Sequence, residues 1–306
     1  ALALADAVAR EADGGSTHPV SRSQIRAEAA LLASQALLNL GRVSEALARS
    51  ESARASFLES GEDPFCEALC DQFSANALCY LSEYRKARRL VTRALRTFSE
   101  YGQEPWMGRA ELTLGTLLAQ QGRNEDALPH FDRATELLDP ALDVNSYAVT
   151  LVNQGSTLAH LGQFGDARSL YARALVLTRR HDFPVLTFAV ELGLAEIDFL
   201  SRLYDRAGTS YARLAIEALA RGLEEQALFS TLYQAECEAR LGRSEQLRRT
   251  VAALRSRVQP TPFQEPAFAE LFACLDRGDL EAGLIEHVRE ALEDPGRLYR
   301  KFREAV

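Results

Sequence analysis

The chain is written in short amphipathic blocks, and one of them sets the pattern. In "GRAELTLGTLLAQQGRNEDALPHFDRATELLDP" (108–140), Leu112, Leu114, Leu117 and Leu118 recur at helical spacing. They predict a first helix of about four turns. Gly122 stands where a left-handed residue would end it. Asn124 can cap a second helix, with Glu125 and Asp126 placed against the positive end of its dipole. Ala127, Phe131, Ala134 and Leu138 then form one apolar face at steps of four, three and four. Pro129 is awkward there, because it deletes one early backbone bond unless the regular helix begins a little later. The block reads as an antiparallel helical hairpin.

Similar turns recur at "LGRVSEAL" (40–47), "LSEYRKAR" (81–88), "LGQFGDAR" (161–168), "SRLYDRAG" (201–208) and "LGRSEQLR" (241–248). The small apolar position after each turn falls at Ala46, Ala87, Ala127, Ala167, Ala207 and Leu247. The steps between them are 41, 40, 40, 40 and 40, which unrelated helices would not produce. The chain is a repeat array.

The central unit resembles a tetratricopeptide repeat, with Leu114-Gly115, Leu118, Ala127, Phe131 and Ala134 at that family's spacing. Glu111 stands in place of the family's leading tryptophan, and the terminal proline falls one residue late, at Pro140. Other copies match in part, through Gly155, Leu158, Ala167, Tyr171 and Ala174, and through Leu194-Ala195, Ala207, Tyr211 and Leu214. The resemblance covers most of residues 21–257. The period exceeds the usual 34 residues and is similar to the long repeats of kinesin-light-chain-like and bacterial signalling arrays. Six extra residues lengthen the helices by up to about 9 Å per repeat. The resemblance implies an all-α, right-handed superhelical solenoid of antiparallel helix pairs, with deep walls around a concave groove.

The family's first helices line that groove, so the resemblance also implies which residues meet a partner. One row reads Gln35, Asn76, Thr116, Ser156, Glu196 and Glu236; the next, one turn on, includes Tyr80, Gln120, His160 and Arg240. Arg109 joins Arg240 as a base on the inner rows, and Phe229 and Tyr233 join Tyr80 as aromatic anchors. Short hydrogen-bonding side chains can satisfy the backbone of an extended peptide while aromatics anchor it. A groove that is polar because water fills it has the same composition. The family's lysine-arginine clamp for a terminal carboxylate is not reproduced.

The two ends differ. Residues 21–258 are expected to hold six helix pairs, and residues 259–306 a proline-rich break, "QPTPFQEP", followed by capping helices. In residues 1–20, Ala5, Ala9 and Ala12 match the second-helix pattern of a repeat whose first helix is missing. The expectation is a fragment of a longer protein that starts inside a repeat; a lone helix sealing the first pair is the alternative.

Composition and charge narrow the function. Val, Ile and Thr never alternate as strands would. No apolar run approaches the roughly 20 residues that span a bilayer, so no membrane contact is expected. A net charge of −8 argues against broad nucleic-acid binding. Five cysteines without framework spacing suit a reduced, cytoplasmic setting. No phosphate loop, metal motif or nucleophile elbow occurs, so neither cofactor, metal nor catalysis is expected. Cys66 and Cys70 share a helix face but lack further ligands. The strongest charge feature is "YRKARRLVTRALR" (84–96), where Arg85, Arg89, Arg93 and Arg96 share one face. It reads as a dock for an acidic partner or as a solvated outer face. Together these features indicate a protein- or peptide-binding scaffold within a larger bacterial regulatory or signalling protein. The alternatives are a peptide-pheromone-sensing regulator and self-association through the open N-terminal end.

Overall fold

Helix-favouring Ala, Leu, Arg and Glu fill each block, and each block is too narrow in its apolar stripe to be stable alone. Burial therefore comes from stacking one hairpin on the next. The computed structural model describes residues 19–39, 42–60, 63–257 and 265–292, with isolated positions 3 and 7. Among the described residues there are helices and no strands. A first pair is formed by α1 (Pro19–Asn39) and α2 (Val43–Ser60). The regular array then alternates first helices, α3 (Pro64–Tyr80), α5 (Glu104–Gln120), α7 (Val144–His160), α9 (Pro184–Leu200) and α11 (Glu224–Arg240), with second helices. The second helices are α4 (Tyr84–Glu100), α6 (Asn124–Leu137), α8 (Phe164–Arg180), α10 (Tyr204–Ala220) and α12 (Ser244–Arg255). A last pair, α13 (Glu265–Arg277) and α14 (Ala282–Leu292), follows.

The described residues fall into two compact units, divided between Thr157 and Leu158 inside α7. Within each, helices pack on their neighbours in chain order, the arrangement of an all-α solenoid. The orphan second helix expected around Ala5, Ala9 and Ala12 and the break at 259–264 lie outside the described residues.

Every first helix from α3 to α11 is 17 residues long, and successive starts are 40 apart. The turns repeat the same device. A backbone N–H reaches back to the carbonyl five residues earlier at Glu83→Leu78, Arg123→Leu118, Gln163→Leu158, Leu203→Asp198 and Arg243→Glu238, at 2.9 to 3.0 Å. This closes each helix with a left-handed residue, and Gly122 fills that place as expected, with φ of +73°. Ser82 and Arg202 hold it without being glycine, at φ of +60°. The capping expectation for Asn124 fails: α6 begins at Asn124 itself, and the preceding Arg123 makes no side-chain cap. Arg123 pairs instead with Asp126 at 2.6 Å.

Pro129 sits inside α6 on its exposed side. Pro140 ends that helix early, by disfavouring helical backbone before it, and Leu138 is already extended. The 139–143 linker is tied down by Asp139, whose carboxylate accepts from the Ala141 amide at 2.8 Å.

The core follows the repeat. Ala87, Ala127, Ala167 and Ala207 are fully buried, and Leu247 nearly so. One turn on, Val91, Phe131, Tyr171, Tyr211 and Val251 fill the space between helices. Small residues opposite make room for the rings. A Cβ on Gly115 would lie 2.7 Å from the Phe131 ring, and one on Gly193 2.5 Å from the Tyr171 ring.

Candidate functional site

In the N-terminal unit the polar row of the first helices lies on a seam between them. Thr113 of α5 donates to Asn76 Oδ1 of α3 at 2.7 Å and accepts from Gln72 Nε2 at 2.8 Å. One repeat on, Asn153 Nδ2 of α7 donates to Thr116 Oγ1 of α5 at 2.9 Å, while Thr116 donates to its own Leu112 carbonyl at 2.8 Å. Asn76 and Thr116 are thus engaged in holding neighbouring repeats in register. Gln35 and Ser156 are half-buried. Tyr80, expected as an anchor, is buried against Leu37, Leu38 and Ala46. Arg109 bonds Asp143 at 2.6 Å and lies 4.6 Å over the Trp106 ring. Gln120 differs from all of these. Its amide nitrogen and oxygen are both shielded from solvent, and neither has a hydrogen-bond partner among the described residues.

In the C-terminal unit, Glu196 is half-buried and His160 exposed. The expectation of an open inner row is corrected at Glu236, whose side chain is 0% exposed. It accepts from Arg240 at 2.6 Å and from Arg289 of α14 at 3.1 Å. Arg289 also donates to the Tyr233 hydroxyl at 3.2 Å and covers the Tyr233 ring at 4.6 Å. Tyr233 stacks on Tyr211 at 4.7 Å, and Phe229 is buried with Leu232, Ile285 and Val288. Glu236 occupies the position that Asn76 and Thr116 hold in earlier repeats, and Arg289 supplies what Thr113 and Asn153 supply there. α14 runs opposite to α11, since Glu286 meets Arg240 and Arg289 meets Glu236. A reversed helix thus seals the last first helix, and Phe229, Tyr233 and Glu236 serve that seal.

On the other side of the first helices, buried carboxylates clasp the second helices. Asp71 of α3, 1% exposed, binds Arg54 of α2 and Arg93 of α4. Glu191 of α9, three repeats later at the same position, binds Arg179 of α8 and Arg213 of α10, each at 2.8 Å. Arg93 is therefore removed from the expected arginine face. Arg85, Arg89 and Arg96 remain exposed with no ion-pair partner among the described residues, as does Arg88, which the one-face reading passed over.

Comparison with known proteins follows this geometry. A model described as a tetratricopeptide repeat matches residues 67–139 and, overlapping, 106–180. Residues 67–180 are tetratricopeptide repeats. No curated protein matches the chain. Among solved structures, the chain is similar to a signal-transduction ATPase with numerous domains that has a tetratricopeptide repeat sensor, from Pyrococcus horikoshii. That likeness has a TM-score of 0.65 and 16% identity, over 89% of this chain and 43% of the ATPase. It is also similar to a Rap protein complexed with competence and sporulation factor, at 0.60 and 18%, over 90% of this chain and 76% of the other. The apo form of RapI gives 0.59 and 14%, over 90% and 99%. At such identities the likeness is one of fold. The chain spans less than half the length of the ATPase.

All five cysteines are free, and burial pushes the Cys66, Cys70 and Cys237 thiols up to about 12, so they stay protonated. Among the described residues no group of three or more His, Cys, Asp or Glu is arranged to hold a metal. None of their helices is long and apolar enough to cross a membrane.

The carboxylates between repeats make stability depend on acid. Burial pushes Asp143 up, but its bonds to Arg109 and to the Ser146 amide outweigh this and hold it below the ordinary 3.8. For Glu191, burial is likewise outweighed by Arg179 and Arg213, which hold it below 4.5. A carboxylate lowered in the folded state contributes stability that is present above its unfolded value and lost as pH falls through the folded one. Stability should decline below about pH 4, and an Asp143→Asn/Glu191→Gln chain should decline less. Urea midpoints across that range measure both; parallel curves would count against these two groups.

Proposed function

We propose that this chain is a protein- or peptide-binding module of a larger regulatory or signalling protein, holding its partner along the row of first helices in the N-terminal unit. The similar solved structures support the reading, one being named for a tetratricopeptide repeat sensor and another for its complex with competence and sporulation factor. The observation that carries it is Gln120. Neighbouring polar residues on the row are bonded across the seam, whereas both ends of this amide are unspent. The amide is shielded in the free chain, so the side chain must turn outward to meet a peptide backbone, whose one donor and one acceptor it can then match. Arg85, Arg89 and Arg96 are proposed as a second, outer contact for an acidic stretch of the partner. The five free thiols fit a reducing compartment such as the cytoplasm. No catalytic step is assigned.

The test uses the missing bonds. Replacing an unsatisfied polar group by an apolar one of similar shape costs little or stabilises. Gln120→Leu should therefore leave the urea midpoint unchanged or raised, yet reduce capture of the partner from source-cell extract by about tenfold, the worth of one or two hydrogen bonds. Equal recovery would move the binding surface off this row. A peptide-sensing regulator is separated by small-angle scattering with bound peptide, since that reading requires compaction.

A further inference from the structure

The outward faces of α8 and α10 carry no charge along their central stripe, unlike the arginine-rich α4 or the acidic α6. On α8 the stripe is Ser169, Ala172 and Val176; on α10 it is Thr209, Ala212 and Ile216. Val176 is 67% exposed and Ile216 70% exposed, at equivalent positions 40 residues apart. Arginines flank the stripe, and carboxylates of α9 pair with four of them. Glu191 takes Arg179 and Arg213, while Asp198, 4% exposed on the same side two turns later, takes Arg168 and Arg206. These two clasps also hold α8 and α10 side by side.

We propose that this face binds a second copy of the chain about a two-fold axis parallel to the helices. That axis sets α8 of one copy on α10 of the other, and the 40-residue equivalence then opposes residues at equal height. Val176 meets Ile216 of the second copy, twice, and Ala172 meets Ala212, whose small side chains let the helices approach. Asp166, exposed and without an ion pair among the described residues, meets Arg206. Arg173 opposes Arg213, a like-charge pair, but Arg213 is neutralised by Glu191 and Glu217. An isologous contact uses the same patch on both copies, and under that axis this patch meets itself with apolar residues opposed. Two helices of about 25 Å by about 10 Å each give on the order of 500 Å² per copy, the small end of specific interfaces. The dimer is therefore weak and concentration-dependent.

Sedimentation velocity from about 5 to about 500 μM tests it. The native chain should move toward twice its monomer mass, and Val176→Glu/Ile216→Glu should stay monomeric with unchanged circular dichroism. Geometry is tested by cysteines introduced beside Cys66→Ser, so that the remaining native thiols are buried. Val176→Cys/Ile216→Cys should form a covalent dimer on mild oxidation, whereas either single substitution should cross-link several-fold less, since like residues lie a helix spacing apart across the axis. A monomer at every concentration, a dimer indifferent to the glutamates, or equal cross-linking of the single variants would each overturn the proposal.

Discussion

Arg289→Met should destabilise the C-terminal unit by about 3 kcal/mol, because it leaves the buried Glu236 carboxylate short of one of its two cations. Glu236 is 0% exposed and cannot recover the loss from water. Arg240 remains, but it is also shared with Glu286. The substitution further strips the Tyr233 ring and hydroxyl of their cover. The double variant Glu236→Gln/Arg289→Met should recover more than half of the loss, since no uncompensated charge then stays buried. Urea unfolding of the whole chain reads both. A loss under about 1 kcal/mol for the single variant would mean that α14 does not seal α11 in this way.

Gly115→Val should cost about 3 kcal/mol, by overpacking the α5–α6 pair. Even a Cβ would lie 2.7 to 3.1 Å from three carbons of the Phe131 ring, and that ring is fully buried. The contact explains why a glycine and an aromatic recur together in this repeat. If so, the effects are not additive: adding Phe131→Leu should return part of the stability, although Phe131→Leu alone is destabilising. Thermal melts of the four chains decide it. Additive losses would place the strain of Gly115→Val somewhere other than the ring.

The placement of the polar row along the first helices was legible in the primary structure. The positions of Asn76, Thr116 and Gln120 follow from the 40-residue step, and they do lie on corresponding turns of α3 and α5. What each group is bonded to was not legible. Thr113 and Asn153 belong to a different register of the first helix, so a row read along one position misses that they reach across to Asn76 and Thr116. The arginine face was overcounted for a related reason: Arg93 turns to Asp71, a residue 22 positions earlier on another helix. The inward clasps of α9 could have been suspected from Asp71 and Glu191 standing three periods apart.

The amino-acid order alone determined the helical hairpins, their period, the left-handed turn positions and the small residues that become the core. These are local consequences of propensity and periodicity, repeated often enough to be unmistakable. Only the tertiary structure decided which polar groups are spent on the stack, that α14 packs reversed against α11, and that carboxylates of α9 pair with the arginines flanking the outer stripes of α8 and α10. Those outcomes depend on pairings between side chains far apart in sequence, whose geometry exists only once neighbouring repeats have docked.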